Sequence, residues 1–333
     1  MLNSPGSPVL LAFAKIFMYN IKSKKALSPN EESIISLSEK LFSPTLDYAK
    51  IVKGIGDDAA VIADKDNSKT SRTFRLVTID AIVEGTHFSA SDDPEQIGWK
   101  AVAVNVSDVA AMGGNPDHLV VSAILPPGTK PEYVKAIMKG LKKAADTYKV
   151  AIVGGDTVGG KTLSLTISMF GAVEKENVCY RSGAKPGDFI AVTGKLGGSL
   201  KSGRHLDFKP RINEARWLIE NAKPSAMMDL SDGLAKDGNR LAKASNVSIK
   251  LHSEKIPVNF DSYLEGAMTD GEDFELFFSV PELSEEKIKI FENKFKIPLT
   301  IIGEVSDAPP ALFLDGKILE PKGFEHFLQQ DDL

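Results

Sequence analysis

Acidic residues recur in this 333-residue chain inside short motifs flanked by apolar runs. They are Asp57 and Asp58 in GIGDDAAV, Asp80 in FRLVTID, Asp108 in NVSDVAAMGG, Asp156 in VGGDTVGG, and Asp229 with Asp232 in MMDLSDGL. The pattern around them puts each at a turn or an element end. Taken singly, each has a local explanation: Asp58 caps a turn, Asp108 finishes a helix, and Ser231 with Asp232 N-caps the helix that follows. Taken together they need more, because a carboxylate beside apolar residues is costly without a partner, and no basic residues of matching placement accompany them. Mg²⁺ is the economical partner, since it prefers carboxylate oxygens and shares its coordination with substrate phosphates. Metal-held phosphates point to phosphoryl transfer, in which positioning and charge neutralisation do most of the work.

Two glycine-rich stretches bear on the same chemistry. Residues 155–162 (GDTVGGKT) fit the G-x-x-x-x-G-K-[ST] pattern after an expected strand at 150–153. The helix such a loop requires is missing, because 163–173 (LSLTISMFGAV) is apolar and strand-like. The glycines here instead let backbone approach a ligand beside Asp156. Residues 194–199 (GKLGGS) form a second stretch, a plain turn or a phosphate contact.

The elements that must position these residues alternate along the chain. Apolar spacing and capping signals predict helices over 29–42, 94–112, 131–148, 211–221, 231–244 and 284–295. Asp92 or Asp93 caps the second, whose inner face carries Ile97, Ala101, Val104 and Val109 and which stops at Gly113-Gly114. Strands are expected over 59–63, 74–79, 118–125, 150–153, 163–173, 189–193, 248–251 and 274–280. The mixture predicts an α/β (α+β) architecture. A turn-rich stretch at 181–188 (RSGAKPGD) marks a boundary between domains at 28–180 and 181–333.

Length suits two domains, and hydrophobic and charged contents of 42% and 26% are those of an ordinary globular enzyme. A net charge of -5 offers no basic field for nucleic acid. The single cysteine, Cys179, excludes an intrachain disulfide and a cysteine-based zinc site, and fits a reducing cytoplasm. Residues 8–17 (PVLLAFAKIF) imitate the apolar part of a signal peptide, yet no basic segment precedes them and Lys15 interrupts them. No run is long enough to span a membrane. Residues 1–27 are expected to be a disordered extension, with Met18 an alternative start.

The motifs GIGDDAAV, TIDAIVEGTHF, KAVAVNVSDVAAMGGNP, VGGDT, RSGAKPGD, MDLSDGL and GEDFEL follow one another in an order that resembles the thiamine-monophosphate kinase family. That family sits in a larger group of ATP-binding proteins with aminoimidazole ribonucleotide synthetase and selenophosphate synthetase. The resemblance runs over 31–327. It implies a homodimer of two-domain subunits, with an N-terminal mixed sheet contributing to a barrel across the dimer and a C-terminal α/β domain closing over ATP. It implies direct transfer of the γ-phosphoryl group to thiamine monophosphate without a phosphoenzyme.

Carried onto this sequence, the resemblance makes Asp58, Thr78, Asp80, Asp108 and Asp156 ligands of several Mg²⁺ ions, with Ile79 contributing only backbone, and adds Asp229 and Asp232 from the second domain. Tyr148, Gly155, Asp156, Arg181 and Ser231 become ATP contacts; His87, Glu272 and Phe324 become substrate contacts. The chain departs from the family in bringing TDGEDFEL at 269–276, and in placing Phe324 where a tyrosine or tryptophan is usual, which keeps the π-face. Two alternatives remain: a synthetase of the same group acting on a purine precursor, which would share Asp58, Asp80, Asp108 and Asp156, and a non-catalytic nucleotide-binding regulator.

Overall fold

In the strand Ser164–Glu174 buried and half-buried side chains alternate along the whole length, as a strand with one face on a core requires. The computed structural model in which it lies describes residues 31–42, 50–63 and 72–325. The proposed extension at 1–27 falls outside the described residues. Helix α1 is Glu31–Phe42, and a compact unit spanning 38–324 holds both sheets described below.

The first sheet has six strands: β1 (Ile51–Lys53), β2 (Ala60–Ala63), β3 (Thr73–Val83), β4 (Asn115–Leu125), β5 (Ala151–Gly159) and β6 (Ser164–Glu174). Their order is β1-β2-β3-β6-β4-β5. Only β4 and β5 run parallel. Helices α2 (Pro94–Ala111) and α3 (Pro131–Tyr148) come from the same segment. Asp93 caps α2 by accepting from the Glu95 amide at 2.9 Å, with Pro94 in the first turn. The two helices touch backbone to backbone: a Cβ on Gly98 would lie 2.1 Å from the Ile137 carbonyl oxygen, and one on Gly140 would lie 1.9 Å from that of Glu95.

The second sheet has seven strands: β7 (Phe189–Thr193), β8 (Ala226–Asp229), β9 (Ser248–Leu251), β10 (Leu276–Val280), β11 (Leu299–Ser306), β12 (Ala311–Leu314) and β13 (Lys317–Ile318). Their order is β13-β12-β9-β11-β7-β10-β8, with β9 and β12 parallel. Helices α4 (Ser199–Ser202), α5 (Ile212–Asn221), α6 (Leu234–Ser245), α7 (Leu264–Thr269) and α8 (Glu285–Phe295) complete it. Both faces are covered: Phe277 enters one core cluster, while Leu276 and Phe278 enter another.

Helix α2 packs into the cores of both sheets. Most of its side chains are buried, Ile97 to Val106 against the first sheet and Ala110 and Ala111 in a cluster with Leu218 and Phe278 of the second. The single inner face expected for it was therefore too narrow. The strand expected at 150–153 continues through the glycines to Gly159, so GDTVGGKT is largely strand and no helix follows it. Neither sheet closes on itself, and β5 lies at an open edge. Among the described residues no helix is long and apolar enough to cross a membrane.

Candidate active site

Past Val77 strand β3 is paired only with β6, because β2 ends opposite that residue. The unpaired edge of this extension faces α2: the Asp80 amide donates to Asn105 Oδ1 at 3.1 Å, and Thr78 Oγ1 donates to Asp108 Oδ2 at 2.5 Å. Asp80 was expected at a strand end; it lies within the strand, and the side chain of Ile79 beside it is exposed. From the second sheet, Asp229 closes β8 and accepts from Ser107 of α2. The turn before β2 brings Asp57 and Asp58, which bind Arg181 through its amide (3.0 Å, to Asp57) and its guanidinium (to Asp58).

Asp80, Asp108 and Asp229 have hydroxyl, amide or carboxyl neighbours and, among the described residues, no ion pair. Burial, then the neighbouring Glu272, pushes the Asp80 carboxyl up to about 6. Burial, then Asp80 and Asp229, drives Asp108 well above the ordinary carboxylate range; burial and Asp58 do the same to Asp229. Like charges that repel one another in this way are relieved either by protons or by cations that enter the site. The residues fit such ions: Asp58 Oδ2 is buried with no hydrogen-bond partner, as are Asp57 Oδ2 and Arg181 Nε. Among the described residues the only three His, Cys, Asp or Glu ligand atoms all within 4.8 Å of one another are those of His252, Glu254 and Asp315, at the surface. The central carboxylates are thus spaced more widely than the ligands of an all-protein cage.

Not every acidic motif lacks a basic partner. Asp58 has Arg181, and Asp232 has Arg240 at 2.6 Å and Lys236 at 3.2 Å. The expectation that Ser231 and Asp232 cap α6 is also corrected. Gly233, at φ 104°, occupies the cap position, and Asp237 from the first turn reaches back to the amides of Ser231 and Asp232 at 3.0 and 2.9 Å. The MDLSDGL loop is held from inside its own helix, leaving the Ser231 carbonyl to accept from the Glu272 amide at 2.7 Å.

The residues expected to contact substrate converge around α2's first half. His87 accepts at Nδ1 from the Val83 amide (3.1 Å) and its ring lies 6.1 Å from that of Phe324. Phe324 is tied to the MDLSDGL loop, donating to the Asp232 carbonyl at 3.1 Å and accepting from Lys236 at 2.6 Å. Glu272 sits at φ 59°, an unusual conformation for a glutamate, and receives the Lys100 ammonium. A cleft of about 500 Å³ opens beside this group, lined by Gln96 one turn before Lys100, by Arg204 and Leu206 on either side of His205, and by Phe260, which is 91% exposed.

Three predicted residues stand apart. Asp156 lies on the exposed edge strand β5 opposite Ser122, away from the buried carboxylates. Gly155 is needed for strand packing, since a Cβ there would fall 2.0 Å from the Val121 carbonyl oxygen. Tyr148 ends α3 and packs its ring 5.6 Å from Trp99. The GKLGGS stretch is a turn whose amides are already used: Gly197 donates to Asp273 at 2.9 Å and Gly198 to Asp270 at 2.9 Å. Cys179 is a buried side chain whose thiol burial pushes up to about 12.

Sequence reasoning missed Lys100, Asn105, Ser107, His205 and Asp237. One signal was available for Lys100: it lies on the apolar stripe with Ile97 and Val104, where a lysine needs a partner.

Residues 56–173 match the AIR synthase related proteins, N-terminal domain, and 148–314 the AIR synthase related proteins, C-terminal domain. Within that class the likeness is narrower. The thiamine-monophosphate kinase of Bacillus subtilis is 34% identical over 317 residues, covering 85% of this chain and 96% of the relative. That of Aquifex aeolicus is 36% identical over 305 residues, covering 83% and 93%. A solved structure, AaThiL complexed with AMPPCP and TMP, superposes with a TM-score of 0.77 at 33% identity, covering 90% of this chain and 97% of that one. The chain belongs to the thiamine-monophosphate kinase family.

Proposed function

We propose that this protein transfers the γ-phosphoryl group of ATP to thiamine monophosphate, giving thiamine diphosphate and ADP. An oxygen of the acceptor's phosphate attacks the γ-phosphorus, the bond to the β,γ-bridging oxygen breaks, and ADP leaves with that oxygen. The observation that carries the reading is the meeting of Asp58, Asp80, Asp108 and Asp229 at α2, next to the group formed by His87, Glu272 and Phe324. The family relationship and the bound AMPPCP and TMP of the solved relative support it.

Asp58, Thr78, Asp80, Asp108 and Asp229 are the residues to hold several Mg²⁺ ions, with Asp232 and the Ile79 backbone at their border. Bound there, Mg²⁺ would neutralise the phosphate oxygens and align donor with acceptor. Arg181, a fixed cation beside Asp57 and Asp58, is placed to meet phosphate. Ser231 sits between the Asp229 end of β8 and the Glu272 loop, where it can contact the nucleotide. The Glu272 carboxylate is suited to accept from the acceptor's aminopyrimidine, and Phe324 to stack on its ring.

Asp156, Gly155 and Tyr148 enter the reading through the family resemblance. The edge strand that carries Asp156 and Gly155 also supports a homodimer. β5 exposes Ile152, Val153 and Val158 beside a groove of about 370 Å³ lined by Val121, Val134, Ile137, Met138 and Leu165. A second copy pairing along it would remove an open edge and extend the sheet toward a barrel. The boundary at 181–188, closure of the second domain over ATP, and a cytoplasmic location belong to the same proposal.

The direct test is mass spectrometry of the product after incubation with Mg-ATP and thiamine monophosphate. Thiamine diphosphate is expected. Its absence, with turnover of a purine precursor instead, would overturn the assignment.

A further inference from the structure

Lys100 is fully buried in the middle of α2, where an ammonium is expensive to place. It has three N–H donors and meets three acceptors: Glu272 Oε2, the His87 carbonyl at 2.8 Å and His205 Nδ1 at 3.1 Å. These come from three segments: the turn after β3, the 3₁₀ turn Arg204–Leu206, and the loop before β10. Two of them carry residues assigned above to the acceptor substrate. His205 can accept at Nδ1 only as a neutral ring with its proton on Nε2. Burial, then the Lys100 charge, lowers its pKa to about 4, in keeping with that state.

We propose that Lys100 is the positioning residue of the acceptor site, holding Glu272 in one ionised rotamer and His205 as the Nε2–H tautomer, so that a flat heterocycle bearing an amino group is received in a single orientation. The inference rests on the functional reading above. It also assigns α2 the part of a spacer. Lys100 and Asp108 are eight residues apart, a rise of about 12 Å along the helix, so a molecule gripped by its ring at Glu272 extends its phosphate toward Asp108 and Asp229. Any buried ammonium needs its donors matched; what points beyond a structural role is that two of the three acceptors belong to segments that carry substrate contacts. The φ of 59° at Glu272 and 51° at Phe274 shows how strongly the surrounding packing determines this loop.

The test compares steady-state kinetics of Lys100→Met and Glu272→Gln with the wild-type protein, using Mg-ATP and thiamine monophosphate. Each variant is expected to raise KM for thiamine monophosphate about tenfold, the loss of one charged hydrogen bond, with KM for ATP within about twofold. Glu272→Gln raising the acceptor KM while Lys100→Met leaves it unchanged overturns the positioning role and keeps the functional reading. Lack of phosphoryl transfer by the wild-type protein overturns the functional reading itself. Should Lys100→Met fail to fold, ¹⁵N spectra of histidine-labelled wild-type protein at pH 7 decide: a proton on His205 Nε2 supports the proposal, and one on Nδ1 overturns it.

Discussion

Along the first half of α2, Lys100 buries a positive charge among a carboxylate, a carbonyl and a neutral imidazole, whereas along the second half Asp108 shares its space with Asp80 and Asp229 and receives only hydroxyl and carboxyl hydrogen bonds. The same helix therefore carries one group of charges that the protein completes by itself and one that it leaves short of cations. Since an uncompensated buried charge costs several kcal/mol, the second group is stable only with neutralisation by protons or by ions that arrive with the nucleotide. The contrast separates two tasks. Under the proposed function the acceptor end is preorganised for recognition, and the carboxylate end is a repulsive group that metal and phosphate would relieve.

The largest effect should come from breaking the carboxylate end. Asp80→Asn and Asp229→Asn are each expected to lower kcat by at least ~10², the scale on which charge stabilisation acts in phosphoryl transfer, with circular dichroism unchanged. Near-normal kcat in either variant would remove that residue from the metal set. Without Mg²⁺ the same variants should unfold at higher temperature than wild type at pH 7, because an acid whose folded pKa is raised costs stability above that pKa. For Asp80 that cost begins to fade below about 6 and vanishes below its ordinary value.

Next in size is the response to the ion itself. Saturating Mg²⁺ should stabilise the wild-type protein by about 2.7 kcal/mol at a hundredfold excess over its Kd, which for a chain of this size is a rise of a few degrees in Tm. EDTA should reverse it. A Tm indifferent to both would mean that the carboxylates are neutralised by protons alone.

How much of this contrast was legible beforehand follows from how local each feature is. The acidic motifs, α3 over Pro131–Tyr148 and β7 over Phe189–Thr193 were readable because capping, periodicity and turn residues lie within a few positions. Strand β5 was truncated because its glycines have little strand preference and only the β4 ladder holds them. Strand β11 went unread: its alternation is broken at a bulge between Ile301 and Gly303. Two of the three partners of Lys100 are 105 and 172 residues away, and Arg181 is 123 from Asp58. Nothing near Lys100 in sequence distinguishes an ammonium bonded to distant groups from one reaching solvent, apart from the apolar stripe it interrupts.

Smaller effects probe the complete end. Phe324→Ala should raise KM for thiamine monophosphate several-fold, since a stacked aromatic ring is worth about 1 kcal/mol, and should leave KM for ATP unchanged. Equal rises in both constants would move Phe324 from the acceptor ring to the fold, because its backbone also ties Asp232 and Lys236 together.

The smallest expected change isolates His205. A base whose folded pKa is depressed, here to about 4 from 6.5, contributes stability that is present above 6.5 and is lost as pH falls toward 4. Asn at this position can offer Oδ1 where His205 offers Nδ1, keeping an acceptor for Lys100 without a titrating group. His205→Asn should therefore match wild type near pH 7.5 and lose less stability at pH 5, by on the order of 1 kcal/mol. Tm profiles of the two proteins from pH 7.5 to 5 measure this. Parallel profiles would show that the His205 pKa is no lower in the folded protein than in the unfolded chain, so that by pH 5 the ring is charged and Lys100 faces a second cation in place of an acceptor, making the two ends of α2 equally unfinished.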